Sequence, residues 1–242
     1  KYDSTAPSNH ITCTARTEPS GKRVINDTWQ NINEGLYFSW SGASDNGSGI
    51  AGYRIYWGTS LTGDPGIGAI QTTNPEYGVQ ASVSDSIYYL RVRTKDNIGN
   101  WSEPSTLFTF KYDNTSPTNP VAPCTAYADS SKATPITNNT WQSIDASPYF
   151  EWSGADDVVG SGVSEYSIYW GASPNGDPIT GTRQNANNRN YAITSPVPPN
   201  STRYLRITTK DNAGNWSSPL TLFTFKYDSP PPADFASTAV SS

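Results

Sequence analysis

Aspartate and asparagine gather in the turns of this sequence in sets that could hold a hard cation. The first half offers Asp3, Asp45 with Asn46, and Asp96 with Asn97; the second offers Asp113, Asp156 with Asp157, and Asp211 with Asn212. Calcium takes about six to eight oxygens from carboxylates, amides and carbonyls, so each set is a candidate calcium site if the fold brings its members together. The same residues are good turn formers, and their spacing is less demanding than that of an EF-hand loop, so both readings stand. Catalysis finds less support. His10, the only histidine, sits in a polar connector, and no activated Ser or Cys pair, Gly-rich phosphate loop or His/Cys ligand cluster accompanies it. The carboxylates lie in turns, whereas acid/base pairs face each other across an apolar cleft. No catalytic residue is therefore expected, and the chain does not read as an enzyme.

The elements that must position these turns come from a repeat. Residues 89–102, Tyr-Leu-Arg-Val-Arg-Thr-Lys-Asp-Asn-Ile-Gly-Asn-Trp-Ser, return at 204–217 as Tyr-Leu-Arg-Ile-Thr-Thr-Lys-Asp-Asn-Ala-Gly-Asn-Trp-Ser. Leu90, Val92 and Thr94 alternate with Arg91, Arg93 and Lys95, the period of a half-buried strand. The Asp-Asn-x-Gly-Asn turn then sends the chain back into Leu107-Phe-Thr-Phe110, predicting a hairpin that needs an opposing sheet to cover its inner face. Phe-Lys-Tyr-Asp closes both copies, at 110–113 and 225–228, and Lys1-Tyr-Asp opens the chain. The phase divides the sequence into domains 1–112 and 113–228, with 229–242 as a tail that repeats the link and first strand of a third copy. That tail is expected either to continue an array or to lie against a neighbouring subunit. The Pro-bearing links at 1–10 and 111–120 predict a semi-rigid spacing.

Within each copy the alternation predicts a first strand at 11–16 and 121–127, a second at 37–40 and 149–152, a third at 50–57 and 163–170, and a short strand near 77–81 and 191–194. Tyr53, Ile55 and Trp57 face inward by parity, with Arg54 and Tyr56 outward. Trp29 and Trp141, in matching polar excursions, are expected to cap the core. Cys13 and Cys124 fall one per copy, so neither domain holds an internal disulfide; the thiols are either buried small residues or partners in an intermolecular bond.

Trp40, Gly52-Tyr-Arg-Ile-Tyr56 and Tyr88-x-Leu-x-Val92 followed by a Gly-bearing turn resemble the fibronectin type III branch of the immunoglobulin-like sandwiches. The wording Trp-Ser-Gly-Ala-Ser-Asp with Lys-Asp-Asn-x-Gly-Asn-Trp-Ser is similar to repeats of large bacterial cell-surface proteins. The resemblance covers nearly all of both copies, with Arg203 standing where the first has Tyr88. It implies an all-β chain of two tandem sandwiches joined by short Pro-containing linkers. In that topology the loop after the second strand and the loop of the last hairpin share the end where the chain comes in, which is where the acidic sets would converge.

Composition agrees with an all-β class. Nineteen Gly, nineteen Pro, eight Trp and fifteen Tyr, with a hydrophobic fraction of 34 %, describe turn-rich strands around aromatic cores. A net charge of −5 without a basic block argues against nucleic acid, and no apolar run is long enough for membrane insertion. On the outer face, Arg91 and Arg93 near Trp101 read as a brace, whereas Tyr56, Tyr89 and Trp101 taken together are a candidate glycan platform. Glycosylation sequons stand at Asn26, Asn46, Asn100, Asn114, Asn138, Asn200 and Asn215. The expectation is a secreted, extracellular structural protein of the cell surface, a repeat unit of a stalk or polymeric filament whose partners are neighbouring repeats or copies of itself. The alternative is an adhesin or accessory module binding glycan or protein.

Overall fold

Alternating large apolar residues on the strands before and after the Asp-rich turns leave one face of each sheet to be covered, and two sheets per copy cover each other. The structure is a computed structural model that describes residues 2–9, 12–32, 35–66, 70–143, 147–158 and 160–229. His10 and nearly all of the tail therefore lie outside the described residues. The chain divides into two units: Lys1–Thr115 with Val158–Ser161 and Asn212–Asn215, and Ser116–Asp157 with Gly162–Asp211 and Trp216–Ser242.

The first copy contains β1 (Thr12–Arg16), β2 (Arg23–Val24), β3 (Trp29–Gln30), β4 (Tyr37–Ser41), β5 (Ile50–Gly58), β6 (Ile70–Thr72), β7 (Glu76–Gly78), β8 (Ser86–Asp96) and β9 (Ser105–Tyr112). One sheet runs β2-β1-β4-β7 and the other β3-β9-β8-β5-β6. All pairings are antiparallel except the short parallel pair of β3 with β9. The second copy contains β10 (Thr125–Tyr127), β11 (Trp141–Gln142), β12 (Tyr149–Glu151), β13 (Val163–Gly171), β14 (Thr182–Asn185), β15 (Asn190–Ala192), β16 (Ser201–Asp211) and β17 (Leu220–Tyr227), with a 3-10 turn at Pro178–Thr180. Its sheets run β10-β12-β15 and β11-β17-β16-β13-β14, the same order as in the first copy except that β2 has no counterpart among the described residues.

Aromatic rings fill both interiors. Phe38 of β4 meets Trp57 of β5 and Phe108 of β9 at centroid distances of 5.2 and 5.3 Å, and Trp40 meets Tyr53 edge-on at 5.6 Å. Phe150, Trp170, Phe223, Trp152 and Tyr166 repeat this arrangement at 5.4, 5.3 and 5.7 Å. Rings at these separations and inclinations are favourable beyond their area burial.

Several boundaries differ from the sequence expectation. The first strand of the second copy is only Thr125–Tyr127, because Pro120 and Pro123 lack donors and the Val121 amide bonds Ser153 O instead of a ladder. Ile11 lies outside the described residues. β7 and β15 end before the predicted limits, and β3, β11, β6 and β14 were not foreseen. Trp29 and Trp141 do not cap the core: Trp141 is 54 % exposed with Lys226 over its ring, and Trp29 is half-buried. Gln30 is the buried member of its pair. Its amide accepts from Ile25 N and donates to the Ile25 and Thr28 carbonyls, supplying the loop with partners that an indole lacks.

Both cysteines are free, Cys13 half-buried and Cys124 buried. Burial pushes each thiol up from 9.0 to about 12, so almost no thiolate exists near neutrality. Both should resist a disulfide reagent such as DTNB at pH 8 in the native protein and react at once in guanidinium. Fast labelling of either in the native state would contradict this placement.

Candidate metal centre

β8 ends in Asp96, whose buried side chain organises the turn that follows. Its Oδ1 accepts from the amides of Ile98, Gly99 and Asn100 at 3.1, 2.7 and 2.7 Å, and its Oδ2 from Asn100 Nδ2 at 2.7 Å. Burial alone would raise this carboxyl. The donors from Asn100, Gly99 and Ile98 outweigh it and hold the group below the usual carboxylate range. Gly99, at φ 111°, supplies the left-handed residue that the reversal needs.

The loop between β4 and β5 brings a second carboxylate. Asp45 Oδ2 accepts from the Ser48 and Gly49 amides at 2.8 and 2.7 Å, while Asn97 Nδ2 ties the two loops together by donating to Ser48 O at 2.7 Å. The third comes from the incoming segment: Asp3 accepts from Thr5 N at 3.0 Å and from Ser48 N at 2.8 Å. Gly47 makes room for it, since a Cβ there would overlap the Asp3 carboxylate. Asp3, Asp45 and Asp96 thus each place a carboxylate oxygen within 4.8 Å of the other two. Ser48 Oγ is buried in the same loop without a hydrogen-bond partner, and Asp3, Thr5, Ser44, Asp45 and Asn46 line an open cleft of about 470 Å³. An oxygen-rich set of this kind, with an orphaned hydroxyl beside it, fits a hard divalent cation. Asn46 is exposed, and Asn97 spends its amide on the Ser48 carbonyl.

The second copy repeats these local bonds. Asp157 Oδ2 accepts from Gly162 N at 2.7 Å, as Asp45 does from Gly49, and Asn212 Nδ2 donates to Ser161 O at 2.8 Å, as Asn97 does to Ser48. Asp157 and Asp211, both in the second unit, bring carboxylate oxygens within 4.8 Å of each other. Asp113 is buried and accepts from Thr115 N at 3.0 Å, matching Asp3 with Thr5. Asp156 instead accepts from Asp157 N at 2.7 Å, and its main chain is tied to Thr118.

Two residues that sequence reasoning passed over fasten the incoming segments. Asn9 Oδ1 accepts from Thr94 Oγ1 at 3.0 Å and Ser102 Oγ at 2.6 Å, and its amide donates to Glu103 O. Asn119 does the same with Thr209, Ser217 and Ser218. The signal was available, because an Asn follows two residues after the Pro of each Lys-Tyr-Asp link.

On the outer face, Arg54 and not Arg91 or Arg93 stacks on Trp101, at 4.6 Å, with Lys95 at 5.6 Å. Arg93 Nε donates to Ser102 O, and Arg91 Nη1 to Gly63 O. The Tyr56 ring lies against Gly63, where a Cβ would overlap it, and its hydroxyl accepts from Ser60 N at 3.0 Å. Tyr169, Gly176 and Arg206 repeat that lock. Tyr89 is half-buried on β8. Among the sequons, Asn46, Asn114 and Asn200 are exposed, and among the described residues none of them donates a hydrogen bond from its side-chain Nδ2. Asn100 Nδ2 is engaged with Asp96, while Asn26 and Asn138 use their oxygens to accept from Thr109 N and Thr224 N.

No family model matches the chain. It is 28 % identical over 222 residues to a protein named exoglucanase B from Cellulomonas fimi; the match covers 88 % of this chain and 18 % of that protein. Among solved structures it is similar to the FN1-FN3 domains of chicken CNTN1, at 14 % identity over 84 % of this chain and 67 % of that one, with a TM-score of 0.33. It is also similar to the fibronectin(III)-like modules of Clostridium thermocellum CbhA, at 10 % identity over 84 % of this chain and 90 % of that one, with a TM-score of 0.38. Apart from the two-residue β2, each copy places corresponding strands in the same order in its two sheets, and on that strand order the chain is a tandem of two fibronectin type III-like sandwiches.

Proposed function

We propose that the chain is a non-catalytic structural module, an extracellular spacer built into a larger cell-surface stalk or filament. The observation that carries this reading is the pinning of each incoming segment to its own sandwich by Asn9 and Asn119, which removes slack where a spacer would otherwise bend. Calcium bound by Asp3, Asp45 and Asp96 would add to that stiffness, with remaining ligands from carbonyls or water.

A second reading, an accessory module of a glycan-acting protein, is favoured by the relative named exoglucanase B. Electron microscopy of the native protein, together with depletion assays on insoluble cellulose, separates the two. Extended, regular particles that stay in the supernatant support the spacer. Compact, isolated particles that are retained on the polysaccharide would overturn it in favour of the accessory module.

A further inference from the structure

The two copies differ in charge at one place on the outer face of the five-stranded sheet. In the second, Glu165 of β13 pairs with Arg183 at 3.0 Å and with Lys210 at 3.7 Å, and these cations stand over the Trp216 indole at 5.2 and 5.3 Å. In the first, Tyr53-Arg-Ile-Tyr-Trp57 aligns with Tyr166-Ser-Ile-Tyr-Trp170, which sets Gly52 in the place of Glu165. The register agrees, since Gly52 lies opposite Lys95 where Glu165 lies opposite Lys210. The arginine has changed strands: Arg54 on β5 is paired with Gln71 on β6, whereas Ser167 on β13 is paired with Arg183 on β14.

The cations over the indole are thus kept in the first copy and the carboxylate is not. Among the described residues neither Arg54 nor Lys95 has a carboxylate partner. Where the glutamate side chain would lie, there is instead an open groove of about 520 Å³ lined by Gly52, Gln71, Thr72, Thr73, Lys95 and Trp101. Its volume falls in the range of small-molecule sites.

We propose that this groove binds a uronic acid residue of a glycan, whose carboxylate takes the position that Glu165 fills in the second copy. Lys95 in the groove wall receives the carboxylate, Arg54 on the neighbouring Trp101 ring adds positive charge beside it, and Gln71 and Thr73 offer an amide and a hydroxyl to the sugar's own hydroxyls. A peptide that bound by adding a strand at β6 would find only three residues to pair with, whereas a sugar acid presents its carboxylate and hydroxyls together to the side chains of the groove. The proposal does not rest on the spacer reading, and its failure would leave that reading standing.

The test is a titration of the whole chain, followed by amide and indole NMR shifts, with three probes: a short oligogalacturonate, cellotetraose and an aspartate-rich peptide. The oligogalacturonate is expected to shift Gly52 and Trp101 saturably, and the two other probes are not. Lys95→Gln should weaken binding by about 10-fold or more, since a charge-assisted contact is lost. Glu165→Gly should open the counterpart groove and add a second set of shifts at Trp216. Gly52→Glu should fill the first groove, but a Cβ there would come 2.9 Å from Thr72 O, so the decisive variant is Lys95→Gln. Absence of shifts with oligogalacturonate, equal shifts with cellotetraose, response to the peptide alone, or indifference to Lys95→Gln would each overturn the proposal.

Discussion

Phe38→Ala should unfold the first sandwich at temperatures where the second remains folded. Phe38 is fully buried and holds β4 against the opposing sheet through Trp57 and Phe108. Truncating a buried Phe costs about 3–5 kcal/mol, lost transfer energy plus the cavity left behind. A domain of this size has roughly 5–15 kcal/mol in total, so the loss takes a large share of it. By the usual scaling the transition should fall by about 10–20 °C. Each copy has its own buried cluster, so calorimetry of Phe38→Ala should separate into a lowered and an unchanged transition, and Phe150→Ala should lower the other one. If both transitions moved together in either variant, the two sandwiches would not be independent folding units. A shift of only a degree or two would mean that Phe38 is not the centre of its core.

Much of this core was legible before the fold was known, because strand parity is a local property. Leu90, Val92 and Thr94 alternate with cationic residues, and all three are fully buried. Ile55 and Tyr53 face inward for the same reason. What periodicity does not encode is which strand lies beside which. β3 is two residues long and pairs in parallel with β9, so neither its pattern nor its turns announce it. The placement of Trp29 and Trp141 went wrong for a related reason. A large aromatic in a polar loop suggests a buried cap, but the loop's need was for hydrogen-bond partners, and Gln30 met it.

The acidic turns were legible as residue types and as a topological expectation. Their meeting in the first copy depended on details no spacing reveals, such as Gly47 yielding space to Asp3. Arg54 on Trp101 was missed because the pairing of β5 with β8 decides which outward cation reaches the indole, and parity alone offered four, Arg54, Arg91, Arg93 and Lys95.

Calcium should raise the melting temperature of the first sandwich, and Gly47→Ala should abolish most of that gain while leaving the metal-free protein nearly unchanged. The substitution adds a methyl group where the Asp3 carboxylate now lies, and Asp3 can swing away without disturbing a strand. Gly47 does not need a left-handed backbone, so alanine costs the fold little. Losing one of three carboxylates should lower affinity by about 100-fold, given how steeply calcium sites depend on their charged ligands. With a dissociation constant of about 0.1 mM, typical of the tighter extracellular modules, 10 mM calcium would stabilise the wild type by about 2.7 kcal/mol. The measurement is a pair of thermal scans at pH 7, with calcium and with chelator. The choice of pH matters because Asp96 titrates below the usual carboxylate range. A carboxyl whose folded pKa is depressed contributes stability that is complete above its unfolded value of about 3.9 and is lost as pH falls through the folded value. At pH 7 that contribution is constant, so a calcium-dependent shift there reports binding and not titration. Below about pH 4 the first sandwich should weaken even in chelator, and Asp96→Asn should flatten that acid limb. Equal calcium stabilisation in Gly47→Ala and the wild type, or none in the wild type, would leave the three aspartates as turn formers only.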